Sequence, residues 1–243
     1  SDEERLVAEL ERLIEISLRI LEELLEVLRR LVEESLRLLE ELVKVAEEII
    51  ERLLRLLEET VKDEDRLREI KEELRKLKEK IKRLVDEVRE EHRDLLRKIE
   101  DLARRVRKKH KELKDKAKEV TKKVRGRERV LKRLSELVKE LEDIHKDVLR
   151  ELKELIDRLL TINKRVLERI DRLLKELLDL VRRDTGDSER LKKTADEIKK
   201  RLDKVRKDSD DLAEEIKRIL KRVEDESRDT ARKVKKVLED AKR

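Results

Sequence analysis

The chain of 243 residues contains no proline, cysteine, methionine, phenylalanine, tyrosine or tryptophan, and it has only two glycines. The absence of cysteine excludes disulfides and thiolate nucleophiles, and it leaves the redox compartment open. The absence of aromatic rings removes the side chains on which nucleobases stack. No apolar run approaches the roughly 18 residues that cross a bilayer. We therefore expect a soluble protein, and no targeting signal assigns it to a compartment.

The residues that are present are mainly charged and aliphatic. Asp, Glu, Lys and Arg make up 56% of the chain, whereas about a quarter is usual in globular domains. The larger apolar residues are Leu, Ile and Val alone, which have well-defined rotamers and fill helical cores efficiently. Such a charged chain could be disordered, but its apolar residues recur with the period of an α-helix. The sequence therefore predicts an all-α protein.

Helical patterns cover residues 2–61, 64–124, 128–184 and 188–242. Gly126 and Gly186 separate two pairs of helices, as expected for residues that accept a left-handed backbone conformation. The remaining break lies at Lys62–Asp65, where acidic residues gather at a new helix start. Loops this short require each long helix to run antiparallel to the next. We expect a single up-down-up-down four-helix domain spanning residues 1–243.

An eighteen-residue repeat governs the helices. The segment beginning at Ser17, SLRILEEL, returns at Ser35 as SLRLLEEL, and the third helix repeats Val130, Val148 and Val166. Eighteen residues make five turns at 3.6 residues per turn, whereas a seven-residue repeat imposes a supercoil. The helices should therefore be long and nearly straight.

Polar residues interrupt the apolar face of every helix at this same spacing. Counted from the loops, they fall at two levels. One level comprises Ser17, His110, His145 and Ser227, and the other comprises Ser35, His92, Asn163 and Ser209. A buried polar group without a partner costs about 1–3 kcal/mol, so one such residue per helix at each level indicates a hydrogen-bond network. We expect these networks to set the register of the helices.

The histidines also admit sharper interpretations. His110 and His145 share a level and could ligate zinc, but the buried faces offer no third protein ligand. Ser17 beside a histidine lacks the acidic residue and the pocket of a catalytic triad. We therefore predict no catalytic residue, metal, cofactor or small-molecule substrate, and no enzyme activity. A pH switch stays open, because protonation near pH 6 would place charge in the core.

The width of the apolar face differs between helices. On a helical wheel it covers about 200° on helix 1, about 180° on helix 3 and about 100–140° on helices 2 and 4. Either helices 1 and 3 touch across a rhombic monomer, or they line the inner ring of a larger homo-oligomeric bundle. We favour the oligomer, because exposed aliphatic columns would otherwise promote aggregation. The predicted self-association surface comprises Ile14, Leu18, Val32, Leu36, Ile50 and Leu54.

One stretch is strongly basic. Residues 104–129 hold fourteen basic and four acidic side chains, whereas residues 2–61 hold eighteen acidic and nine basic ones. Antiparallel packing can bring these opposite charges together, which explains the basic stretch without an external partner. We expect no nucleic-acid partner and no membrane partner.

The whole chain resembles de novo designed helical bundles with buried hydrogen-bond networks, including designed heterodimers and switchable caged bundles. The resemblance rests on the segment at 35–42, the polar residues repeated every eighteen positions and the charged outer faces. It implies a structural, self-assembling scaffold without natural biochemical activity. It alternatively implies a binding module or switchable bundle whose inner helices accept a designed partner helix or chain.

Overall fold

The computed structural model describes residues 2–184 and 188–242, apart from the side chains at 184, 188, 191, 202, 205, 223, 227, 230, 231, 234, 237, 238, 241 and 242. The described residues form four helices and no strand. These are α1 (Asp2–Thr60), α2 (Glu64–Lys123), α3 (Arg127–Asp184) and α4 (Ser188–Lys242). Each bound lies within one residue of its predicted position, so the all-α prediction is confirmed.

Local chemistry explains the helix boundaries. The Asp63 carboxylate accepts hydrogen bonds from the backbone N–H groups of Asp65 and Arg66, at 3.1 and 3.4 Å, and so caps α2. Gly126 has a φ of +96°, a backbone conformation that residues with a Cβ atom rarely adopt. Its carbonyl accepts a hydrogen bond from the backbone N–H of Val130 at 3.0 Å. Gly186 lies outside the described residues.

Contacts group the chain into two compact units, each built from segments of all four helices. The first unit comprises Ser1–Arg30, Leu95–Asp157 and Glu215–Arg243, and the second comprises Leu31–Asp94 and Arg158–Glu214. Each unit therefore contains its own apolar core and its own set of contacts between helices.

Ion pairs establish the order of the helices in the second unit. Lys71 pairs with Glu58 and Arg89 pairs with Glu40, so residue numbers fall on α1 as they rise on α2. This is antiparallel packing. The other helix pairs are joined by Arg169–Glu87 and Arg158–Asp94 between α2 and α3, Arg206–Asp171 between α3 and α4, and Arg201–Glu48 and Arg190–Glu59 between α1 and α4.

The first unit repeats this arrangement around a core of aliphatic side chains. Leu10 and Ile14 of α1 pack with Leu113 of α2 and Leu137 of α3. The flanking ion pairs are Lys114–Glu15 between α1 and α2, Arg105–Glu151 between α2 and α3, Lys153–Glu224 between α3 and α4, and Arg222–Glu23 between α1 and α4. These ion pairs link neighbouring helices at the edges of the core.

Helices α1 and α3 touch directly in both units. Ser17 is hydrogen bonded to His145 in the first unit, and Ser35 is hydrogen bonded to Asn163 in the second. These α1–α3 contacts, together with the pairing of α2 and α4 with both α1 and α3, fit the rhombic arrangement in each unit. Much of the apolar face of α1 and of α3 is thereby buried within the chain itself.

This packing corrects part of the predicted self-association surface. Ile14, Val32 and Ile50 are each only 1% exposed, because they lie in the core of the chain itself. Leu18, Leu36 and Leu54 are partly buried. No large hydrophobic side chain among the described residues is exposed. The homo-oligomer remains a prediction, with only the three partly buried leucines as its candidate surface.

Candidate functional site: two buried polar layers

The first layer, formed by Ser17, His110 and His145, lies in the core of the first unit. All three residues are buried, with His145 the most accessible at 6%. The Ser17 Oγ lies 2.8 Å from the His110 Nε2 and is also hydrogen bonded to the His145 Nε2. The two imidazole rings are arranged edge to face with centroids 6.5 Å apart. The side chain of Ser227, also predicted at this level, lies outside the described residues.

The positions of the hydrogen atoms in the first layer follow from one carbonyl group. The His110 Nδ1 is 2.7 Å from the Val106 carbonyl oxygen, which only accepts, so Nδ1 carries the hydrogen. In the neutral ring the His110 Nε2 is then an acceptor, and the Ser17 hydroxyl donates to it. With its single hydrogen used, Ser17 Oγ accepts from the His145 Nε2–H.

This assignment leaves one buried acceptor in the first layer unserved, meaning that no hydrogen-bond donor reaches it. In the neutral Nε2–H form, the His145 Nδ1 carries a lone pair, and this atom has no hydrogen-bond partner in the described structure. Buried polar atoms without partners are uncommon in folded proteins. Among the described side chains of the first layer, the His145 Nδ1 therefore lacks a hydrogen-bond donor.

The second layer, formed by Ser35, His92 and Asn163, lies in the core of the second unit. Ser35 Oγ is 2.9 Å from the His92 Nε2 and 3.1 Å from the Asn163 Oδ1. These three side chains are buried, and Asn163 is the most accessible at 7%. Ser209, predicted at the same level, lies partly buried on α4, and the three other side chains bond to one another without it.

Backbone carbonyls one turn earlier orient both layers. His92 and His110, eighteen residues apart, each place Nδ1 at 2.7 Å from the carbonyl of the residue four positions before, Val88 or Val106. Asn163 donates in the same way to Leu159 at 3.0 Å. These carbonyls were not predicted from the sequence, although a buried polar side chain on a helix often bonds to the carbonyl four residues before it.

Burial lowers the pKa of all three histidines because it disfavours the charged ring. For His92 and His110 the bond to a carbonyl opposes this effect, and Glu91 and Glu40 also oppose it at His92. His145 has no such support: burial and then the nearby His110 lower its pKa to about 4. Its ring is therefore neutral at physiological pH.

None of the six layer residues lines either of two surface grooves. One, of about 330 Å³ in the second unit, is lined by charged residues together with Val43 and Val85. Another, of about 240 Å³ in the first unit, lies between Leu102 and Val148 and is also edged by charged side chains. Among the described residues, no group of three or more His, Asp or Glu is arranged to hold a metal ion. No described helix has the length and apolarity needed to cross a membrane.

No family model matches the chain, and no curated protein or solved structure matches it.

Proposed function

We propose that this chain is an artificial, designed helical bundle that acts as a structural scaffold and has no natural biochemical activity. One observation carries the proposal: the buried polar side chains bond to one another and to carbonyls of their own helices. The restricted amino-acid composition, the eighteen-residue repeat and the resemblance to designed bundles support the same conclusion.

In this proposal the polar layers act as register marks. The rest of the core consists of Leu, Ile, Val and Ala, which can exchange neighbours with little change in energy. A shift of one helical turn would separate Ser17 from His110 and leave both without partners. Each such buried group costs about 1–3 kcal/mol, which disfavours every register except the intended one.

The test is a variant in which both layers become apolar, with the three Ser→Ala, His→Leu or Asn→Leu changes made in each layer. We expect it to stay helical and to unfold at the same or a higher denaturant concentration, since hydrophobic replacement of buried polar groups is often neutral or stabilising. We also expect it to lose its unique register. A control keeps both layers and replaces an equal number of core leucines by isoleucine: Leu21, Leu39, Leu95, Leu113, Leu141 and Leu159.

Register is measured directly by spin-label distances. Because the chain has no cysteine, exposed Arg19 of α1 and Asp143 of α3, both in the first unit, can be changed to cysteine and labelled. The original sequence and the leucine control should give one narrow distance distribution, and the apolar-layer variant a broad or multiple one. A single, unchanged distance in the apolar-layer variant would overturn the register role.

Self-association is a second candidate function, favoured by one observation. Leu18, Leu36 and Leu54 are only partly buried and repeat every eighteen residues along α1. Light scattering after size exclusion tests it, since a mass near 29.4 kDa at micromolar concentration excludes a homo-oligomer. If the mass is a multiple, lysine at these three positions should reduce it to 29.4 kDa. Lysine at the partly buried Ile20 and Leu38 on the other flank serves as the control.

A further inference from the structure

The second layer contains more acceptors than its hydroxyl group can serve. Ser35 has a single hydroxyl hydrogen, yet its Oγ faces two atoms, the His92 Nε2 at 2.9 Å and the Asn163 Oδ1 at 3.1 Å. If the His92 Nε2 and the Asn163 Oδ1 are both acceptors, only one of them can receive the Ser35 hydrogen. The other then faces a lone pair of the Ser35 Oγ without a hydrogen bond. The protonation state of this layer therefore depends on where its hydrogen atoms lie.

Neither His92 nor Asn163 can change its orientation so as to donate a hydrogen to the Ser35 Oγ. The His92 Nδ1 lies 2.7 Å from the Val88 carbonyl oxygen, so Nδ1 carries the hydrogen and the neutral Nε2 is bare. The Asn163 Nδ2 donates to the Leu159 carbonyl at 3.0 Å, which directs Oδ1 towards Ser35. Rotating the amide would place two oxygen atoms against each other. The neutral layer is thus one hydrogen short.

We propose that the second layer is a buried proton-binding site centred on the His92 Nε2. A proton delivered by hydronium from solvent converts imidazole to imidazolium and releases water. The new Nε2–H donates to Ser35 Oγ, and the Ser35 hydroxyl then donates to the Asn163 Oδ1. Each polar atom in the series of hydrogen bonds that runs from the Val88 carbonyl through His92, Ser35 and Asn163 to the Leu159 carbonyl then has a partner. No heavy atom needs to move.

The charges around this site favour a proton more than they oppose it. Glu91 of α2 and Glu40 of α1 both stabilise a positive His92. Glu40 is shared with Arg89, and Glu91 with Arg165 of α3, so neither carboxylate acts alone. The sequence neighbours of the two other layer residues are Glu34 and Leu36 beside Ser35 on α1, and Ile162 and Lys164 beside Asn163 on α3. On α4, Asp208 and Asp210 stand beside Ser209, which was predicted at the same level.

The first layer has the same shortage but cannot correct it with a proton. Its unserved atom is the His145 Nδ1, which faces no acceptor in the described structure. A proton there would create a charged donor without a partner, with the His110 ring centroid 6.5 Å away. The two layers should therefore differ in proton affinity although both contain buried histidine.

Nitrogen-15 NMR of the three histidines, assigned with single variants, tests the proposal. We expect His92 to take up a proton first, with at least about tenfold higher proton affinity than His145, which is one pKa unit. The proton should appear on Nε2 while the amide signals of the second unit remain those of the folded chain. The proposal is wrong if His145 titrates at or above His92, or if protonation of His92 coincides with unfolding.

A pair of variants separates the hydrogen shortage from simple burial. Asn163→Leu removes the competing acceptor, so Ser35 can donate to His92 alone, and the proton affinity of His92 should fall about tenfold. His145→Leu, the control in the first layer, should leave it unchanged. If the Asn163→Leu chain does not fold, Asn163→Asp gives a test of opposite sign, because a carboxylate acceptor should raise the affinity. An affinity that neither Asn163 variant changes in the expected direction overturns the proposal.

Discussion

Replacing His145 by leucine should stabilise the protein, although it deletes a member of a buried network. The change removes the unserved Nδ1 acceptor, which costs about 1–3 kcal/mol in the folded chain. It also removes the bond from Nε2–H to Ser17, worth about 0.5–1.5 kcal/mol. The Ser17 hydroxyl keeps its acceptor on His110, which keeps its own bond to Val106. We expect a gain of roughly 1 kcal/mol at pH 7.

The gain should grow as the pH falls. The pKa of His145 is about 4 in the folded chain against an ordinary value of 6.5, so the unfolded chain binds its proton first. The stability contributed by the neutral ring is complete above pH 6.5 and is lost as the pH falls from 6.5 towards about 4. At pH 5 this loss is about 2 kcal/mol, and His145→Leu abolishes it.

His110→Leu is the matched control, since it removes the other histidine of the same layer. If Ser17 then donates to the His145 Nε2, the hydrogen of His145 moves to Nδ1 and becomes a donor without a partner. If Ser17 goes on accepting, its own hydroxyl hydrogen loses the acceptor on His110 and Nδ1 stays without a donor. This variant should be about 2 kcal/mol less stable than His145→Leu at pH 7. Guanidinium unfolding followed by circular dichroism at pH 7 and pH 5 measures all three proteins. A loss of more than about 1 kcal/mol in His145→Leu at pH 7 would mean that Nδ1 has a donor, and the hydrogen assignment would be wrong.

Three further predictions concern Ser17, the α2 cap and Gly126. Ser17→Ala should lower the free energy of unfolding by about 1–3 kcal/mol, because both histidines of the first layer lose a partner. The control, Ser135→Ala, loses only a bond to the Leu131 carbonyl and should lower it much less. Equal denaturation midpoints for these two variants would contradict the network. Asp63→Ala should cost about 1 kcal/mol through loss of the α2 cap, measured as a lower midpoint, and an unchanged midpoint would rule out the capping role. Gly126→Ala should destabilise by about 1 kcal/mol through backbone strain alone, since no atom lies within 4 Å of an added Cβ; a stabilised variant would contradict this.

Much of the fold could be predicted because its determinants are local. The helix bounds followed from the sequence because each is set by residues close to it. Examples are the apolar periodicity within a helix, the Asp63 cap of α2 and Gly126 before α3. Counting residues from the loops likewise placed Ser17, His110 and His145 at one level, since the rise per residue converts position along a helix into depth. The structure brings these three side chains together.

The arrangement of the helices around each other was decided only by tertiary structure. A broad apolar face on α1 suits either a rhombic monomer or the inner ring of an oligomer, so the helical wheel could not distinguish them. In each unit α1 bonds directly to α3, as the rhombic arrangement requires, and Ile14, Val32 and Ile50 are buried within the chain.

The hydrogen-bond state of the layers also depends on the tertiary structure. The sequence by itself determined which polar residues share a level, because helical rise is a property of the chain. It could not determine how many acceptors meet one hydroxyl, because that depends on distances of about 3 Å between different helices. Ser35 between His92 and Asn163, and His145 with an unserved nitrogen, are products of helix packing that no spacing along the chain encodes.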